Sequence, residues 1–311
     1  MASQATPISR IAIIGAGQVG TIAAHSLIIS SVVTELLIVD VNRDLRDSQV
    51  FGLRDVSYCC NSQTQVRVAT HQEARESEIV VITAGSKYHY RGETSVEYIY
   101  QKASIIRSII GEMKPFKSDT ILLVVANPVD LLTCLAYELS GLPASQVIGS
   151  GTFLDSLRVQ NLLAQEIEIA PPSIGLYIVG VHGDPVIAWS GITIDGVPMN
   201  ELFRTNTVEY EKLTQEGIKG LQMMPWFKGS TPLGIGSAIS SICSSIMRDQ
   251  RNIRSICFFQ PEWGTCFSMP AVLGRAGIVK RADLPLDSTE KMALEKSAKE
   301  LKATLEKMSD G

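Results

Sequence analysis

Arg10-Ile11-Ala12-Ile13-Ile14 running straight into Gly15-Ala16-Gly17-Gln18-Val19-Gly20 is the stretch that decides the fold. Five mostly apolar residues of strand length meet a glycine turn. Beyond it Ile22, Ala23 and Leu27 recur at helical spacing. A second apolar run, Glu35-Leu36-Leu37-Ile38-Val39, closes on an acid, Asp40, 20 residues after Gly20. A G-x-G-x-x-G alone is weak, because glycines also serve ordinary turns. Placed between a strand and a helix, with an acid ending the next strand, it is the fingerprint of a dinucleotide site. Gly15 permits the tight turn, Gly17 lets a pyrophosphate approach the backbone, and Gly20 lets helix and strand pack closely. The helix start at Gln18 and Val19 offers N–H groups and a positive dipole end to phosphate. Asp40 accepts hydrogen bonds from the adenosine ribose hydroxyls and repels a 2′-phosphate, so the expected cofactor is NAD and not NADP.

The same rhythm continues outward. Residues 66–70, 78–83 and 121–126 read as strands. Between the last two, Val96, Ile99, Ala103, Ile106, Ile110 and Met113 form one face of an amphipathic helix that Pro115 ends. Strand and helix in alternation predict an α/β fold with a Rossmann-type, doubly wound parallel sheet over residues 1–150. The rhythm then changes, and residues 151–311 read as a mixed α+β domain that carries the substrate groups. Strands are expected at 174–179, 192–194, 257–259 and 267–269, with an Asp195-Gly196 turn and a helix over 237–247. The closing helix has a capping box in Asp287 and Glu290, and an apolar stripe of Leu294, Ala298, Leu301, Leu305 and Met308. With no low-complexity linker between them, the two halves are expected to pack intimately.

Of 311 residues, 45% are hydrophobic and 19% charged, a globular profile. A net charge of −4 offers no basic field for nucleic acid or for an anionic membrane surface. No positive segment followed by an apolar one opens the chain, so no signal peptide is expected, and the apolar runs fall far short of a membrane span. The six cysteines, Cys59, Cys60, Cys134, Cys243, Cys257 and Cys266, contain no C-x-x-C pair and sit mostly in apolar segments. Buried free thiols in a reducing, cytoplasmic setting are the expectation, with no metal site.

Chemistry gathers in two short segments. Leu154-Asp155-Ser156-Leu157-Arg158 and Gly180-Val181-His182-Gly183-Asp184 place an imidazole, a carboxylate and a guanidinium in reach of one another, with 182 − 155 = 27 residues from Asp to His. An Asp-paired His moves a proton near neutral pH, and an Arg fork holds a carboxylate. Reduction of a 2-keto acid needs both, together with a hydride.

Further motifs stand in order. Thr83-Ala84-Gly85 ends one strand and Asn127-Pro128-Val129-Asp130 another. Ile148-Gly149-Ser150-Gly151-Thr152 leads into the Asp155 segment, and Lys228-Gly229-Ser230-Thr231 follows the His182 segment. In this order the chain resembles the lactate/malate dehydrogenase family over its whole length, most closely the lactate dehydrogenase side. The resemblance implies that His182 is the acid/base and that Asp155 orients it. It implies that Arg158 binds the substrate carboxylate, that Asn127 lies near nicotinamide and substrate oxygen, and that Thr231 lines the substrate pocket. Thr83, Ala84, Gly85 and Lys87 would border the cofactor, the Asn127-Pro128 bond would be cis, and the assembly would be a homo-oligomer.

One position departs from the family. Its mobile lid ends in Gly-Glu-Ser-Arg or a close variant, and the last Arg polarises the carbonyl. Anchored on Gly92-Glu93, that position here is Ser95, in a loop one residue longer, with Arg91 four residues early as a substitute cation. Pro225 and Pro232 further alter the ground of an active-site helix. The pattern is also similar to the dehydrogenase-like domain fused, in one branch, behind a ubiquitin E2 variant (UEV) domain. Two readings follow. One is an NAD-dependent dehydrogenase of a small 2-hydroxy or 2-keto acid with weak or lost turnover. The other is an inactive NAD-binding module that regulates ubiquitin-pathway partners through an N-terminal domain outside this chain.

Overall fold

The computed structural model describes residues 9–85, 95–203 and 231–309. Six strands, β1 (Arg10–Ile14), β2 (Glu35–Val39), β3 (Gln65–Val68), β4 (Ile79–Ile82), β5 (Ile121–Val124) and β6 (Val147–Gly149), pair in parallel in the order β3-β2-β1-β4-β5-β6. Their cores are apolar on both sides because both faces are covered. Ile11 and Ile13 bury into one core while Ala12 and Ile14 bury into the other, as the strand period of two requires. The helices between them are α1 (Gln18–Ile29), α2 (Arg43–Cys59), α3 (His71–Ala74), α4 (Ser95–Met113) and α5 (Val129–Ser140). The Lys114–Pro115 bond after α4 is cis.

Past β6 come α6 (Phe153–Glu166), β7 (Ile174–Gly175), β8 (Ile178–Val181), β9 (Asp184–Ile187), β10 (Thr193–Ile194), β11 (Val197–Pro198) and α7 (Met199–Phe203). After them stand α8 (Thr231–Met247), β12 (Asn252–Gln260), β13 (Thr265–Gly274), β14 (Gly277–Arg281) and α9 (Ser288–Ser309). The parallel sheet does not stop at the midpoint. β6 pairs antiparallel with β12 at Gly149 and Cys257, and the sheet runs on through β13, β8 and β9, with β14 on β13, to eleven strands among the described residues. The intimate packing of the two halves is therefore a shared sheet.

Four sequence expectations change. The single strand over 174–179 is two: β7 joins a small sheet with β10 and β11, while β8 joins the large one. Gly175 allows this, since a Cβ there would lie 2.5 Å from Thr193 Oγ1. The short strands at 257–259 and 267–269 are the centres of a long hairpin whose ladder continues through polar residues from Asn252 to Leu273. The helix over 237–247 begins earlier, at Thr231, and Pro232 sits in its first turn, where the missing N–H costs nothing. Cys59 and Cys60, at the end of α2, are exposed, while the other four thiols are buried, and all six are free. The capping box of α9 is as expected: Asp287 N–H donates to Glu290 (2.9 Å) and Glu290 N–H to Asp287 (2.8 Å). Among the described residues no helix is long and apolar enough to cross a membrane, and no His, Cys, Asp and Glu cluster could hold a metal.

Candidate active site

The glycine turn is built by close approach. Gly15 has φ +114°, and a Cβ on it would press 2.7 Å from the Ala84 backbone nitrogen and 2.9 Å from Thr83 Oγ1. A Cβ on Gly20 would fall 1.9 Å from the Gly15 carbonyl oxygen. Thr83 seals the contact by donating its hydroxyl to that same carbonyl at 2.9 Å. At Gly17 a Cβ would meet nothing within 4 Å, so this face of the turn is open. Gly17 is also the N-cap of α1, with no side-chain cap and no acid in the first turn. The helix N–H groups at Gln18 and Val19 are thus left for an anion. Asp40 stands at the end of β2, where its Oδ2 accepts the Ala16 N–H (2.7 Å) and its Oδ1 the Asn42 N–H (2.8 Å). Each oxygen keeps a lone pair for a ribose hydroxyl. This set of open turn, uncapped helix start and strand-end carboxylate fits a dinucleotide.

At the C-terminal ends of the neighbouring strands, Thr83, Ala84 and Gly85 follow β4, and Asn127 follows β5, exposed, with its bond to Pro128 cis. The crevice beyond parallel strand ends is where ligands of such sheets bind. Lys102 of α4, 3% exposed, brings its ammonium to this border, 3.7 Å from where a Gly85 Cβ would stand.

His182 and Gly183 form the two-residue turn between β8 and β9. Asp155 lies in the first turn of α6 and is 6% exposed. The two are held in register by hydroxyls: Ser156 Oγ accepts the Ile178 N–H (2.9 Å), and Thr152 Oγ1 donates to the Ile178 carbonyl (2.5 Å). The helix start is thereby stitched to β8, and His182 Nδ1 meets Asp155 Oδ2 at 2.7 Å. The Asp155 hydrogen bond pushes the imidazole pKa above its ordinary 6.5, burial opposes this, and the charges of Asp155 and Asp130 add to the rise. Arg158, one turn further along α6, lies 3.8 Å from Asp155 Oδ1 and reaches across to Gly234 of α8. With Nδ1 engaged, Nε2 is the nitrogen left to exchange a proton with a ligand.

The structure thus brings His182, Asp155 and Arg158 together, and separately groups Gly15, Gly17, Gln18, Val19, Gly20, Asp40, Thr83, Ala84 and Gly85. Thr231 is the first residue of α8, the helix that Arg158 approaches. Ser95 is the first residue of α4. Lys87, Arg91 and Pro225 lie outside the described residues.

Two residues escaped the sequence reading. Lys102 hides within the helical apolar face of α4. Asp130 was visible as an acid inside the apolar run Val129-Asp130-Leu131-Leu132, a pattern that demands a buried partner; that partner is the His182 backbone N–H, 2.8 Å away.

Comparison with known proteins shows the family and the fold. Residues 9–149 match the lactate/malate dehydrogenase NAD binding domain, and residues 152–310 match the lactate/malate dehydrogenase alpha/beta C-terminal domain. L-lactate dehydrogenase A of Rhizopus oryzae is 38% identical over 302 residues, covering 95% of this chain and 92% of that protein. An L-lactate dehydrogenase of Clostridium botulinum is 34% identical over 313 residues, covering 97% of each. Among solved structures, the minor L-lactate dehydrogenase of Enterococcus mundtii in its ligand-bound form superposes with a TM-score of 0.89 at 30% identity, over 96% of this chain and 98% of that one. A lactate dehydrogenase from a deep-sea metagenome library does so at 0.90 and 27%, over 97% and 99%. The first half is an NAD-binding domain of the Rossmann type followed by an alpha/beta domain, and the chain belongs to the lactate/malate dehydrogenase family.

Proposed function

We propose that this protein is an NAD-dependent dehydrogenase that interconverts a small 2-keto acid and its 2-hydroxy acid, slowly. In this reading residues 1–150 hold the dinucleotide and residues 151–311 hold the substrate. The observation that carries it is the 2.7 Å pair of His182 Nδ1 and Asp155 Oδ2 beside the Arg158 guanidinium. Bound NADH supplies the hydride. Arg158 receives the substrate carboxylate as a fork, and His182 Nε2 delivers the proton to the carbonyl oxygen, with Asp155 fixing the ring and favouring its protonated form. Asn127 and Thr231 are assigned to the substrate wall, Gly15, Gly17, Gln18, Val19, Gly20, Asp40, Thr83, Ala84 and Gly85 to the cofactor, and Lys87 joins them on the family resemblance alone.

The slow rate follows from Ser95. A hydroxyl cannot bring positive charge to a developing alkoxide, and the loss of one such donor costs about 10²–10³ in rate. The names of the similar proteins favour L-lactate as the hydroxy acid. A cytoplasmic homo-oligomer suits the six free thiols and the family.

Ser95 by itself also favours a second reading, an NAD-binding module without turnover that signals cofactor occupancy. Its proposed ubiquitin-pathway partner, acting through a UEV domain, has no support among the described residues. NADH calorimetry followed by a turnover screen over small 2-keto acids separates the readings. Binding with slow turnover is expected of the first, and binding without turnover of the second.

A further inference from the structure

Behind the imidazole lies an acid that the proposed chemistry does not consume. Asp130, in the first turn of α5, is 2% exposed. Its Oδ2 accepts the His182 backbone N–H at 2.8 Å, while its Oδ1 is buried without a hydrogen-bond partner. The Cys257 thiol of β12 faces the carboxyl, with Cys266 of β13 and Cys134 of α5 packed beyond it. A carboxylate in such a place is costly, because water is gone and, beyond the one backbone N–H, the nearest donor is a weak thiol. An apolar side chain would fill the space at lower cost, but it would leave the His182 peptide N–H unheld in its two-residue turn.

We propose that Asp130 is a positioning residue for His182: it clamps the peptide N–H from behind and sets the field in which the imidazole takes up its proton. The proposal rests on the reading of His182 as the proton donor. His182 is then held by two acids, Asp155 gripping the ring and Asp130 the backbone. The charged groups facing the imidazole are Asp155 and Arg158 of α6 and Asp130 of α5. Facing Asp130 are His182 and the Cys257 thiol, with the Cys266 thiol behind. Burial pushes the Asp130 carboxyl up to about 6, so it ionises at a pH where the imidazole, raised above its ordinary 6.5, still holds its proton. Two groups so placed titrate as a coupled pair. Above pH 6 the Asp130 charge reinforces protonation of His182, and below it that support is withdrawn.

The test is NMR titration of the His182 imidazole in the full chain, assigned with His182→Gln, for wild type and Asp130→Asn. Asparagine keeps an oxygen for the His182 N–H but carries no charge. The His182 midpoint is expected to fall by roughly half a unit to one unit, toward the lower edge of what a nearby charge exerts. An unchanged midpoint overturns the proposal. Should Asp130→Asn fail to fold, the wild type decides: a second inflection near pH 6 in the His182 signal supports the coupling, and a single-site curve refutes it. The readout needs no turnover. A shifted midpoint in a protein that reduces no 2-keto acid would leave the clamp standing and remove the dehydrogenase reading.

Discussion

At the scale of single residues, the site is one imidazole whose proton affinity its neighbours raise. His182 gains from Asp155, so the stability of that pair is fully present below the ordinary 6.5 and is lost as pH rises through the raised folded-state value. Reduction of a 2-keto acid needs the protonated ring and should follow the same limb, holding past the ordinary 6.5 and falling as pH rises through the raised value. Asp155→Asn should move that fall to lower pH and narrow the stability gap to wild type as pH rises. Rate–pH profiles and thermal melts at several pH values check both. At the start of α4, Ser95→Arg is predicted to raise turnover by up to about 10²-fold, the magnitude of one preorganised donor. An unchanged kcat with NADH affinity intact would place the limit at another residue.

At the scale of elements, the β1–α1 turn separates folding from binding within four residues. Gly20→Ala forces a Cβ to 1.9 Å from the Gly15 carbonyl, so helix and strand must part, and a lowered melting temperature is expected. Gly17→Ala meets nothing within 4 Å. Its methyl points into the open face where a pyrophosphate would approach, so it should weaken NADH binding while leaving the melt near that of wild type. Calorimetry and thermal melts on the two variants check this contrast. If both lost stability alike, the open face would not be a ligand cradle. The hydroxyl stitching of α6 to β8 acts at the same scale. Thr152 and Ser156 bring Asp155 to His182 across 27 residues of chain, which neither segment could do alone.

At the scale of the whole molecule, one sheet of eleven strands among the described residues joins the NAD-binding domain to the C-terminal alpha/beta domain through β6 and β12. The halves should therefore unfold together, as a single calorimetric transition that saturating NADH shifts upward as a unit; at a hundredfold excess over Kd the gain is about 2.7 kcal/mol. Two separate transitions, with only one moved by NADH, would contradict this. Much of this architecture was legible in the sequence. The parallel strands announce themselves as apolar runs buried on both faces, and Asp40 follows from its distance to Gly20. The pairing of Asp155 with His182 was legible from residue type and order. The junction of β6 with β12 was not, because antiparallel partners about a hundred residues apart leave no periodic trace. Nor was the break between β7 and β8, which depends on Gly175 seating against Thr193. Asp130 was missed because a buried acid in an apolar helix shows its purpose only once its partner, a backbone N–H far along the chain, is in place.

The most direct measurement is the oxidation of NADH by the purified chain across a panel of small 2-keto acids, with His182→Gln and Ser95→Arg in parallel. The account predicts slow but measurable reduction of at least one 2-keto acid, abolished in His182→Gln and accelerated in Ser95→Arg. NADH that binds but is oxidised by no 2-keto acid, in wild type and in Ser95→Arg alike, would contradict it.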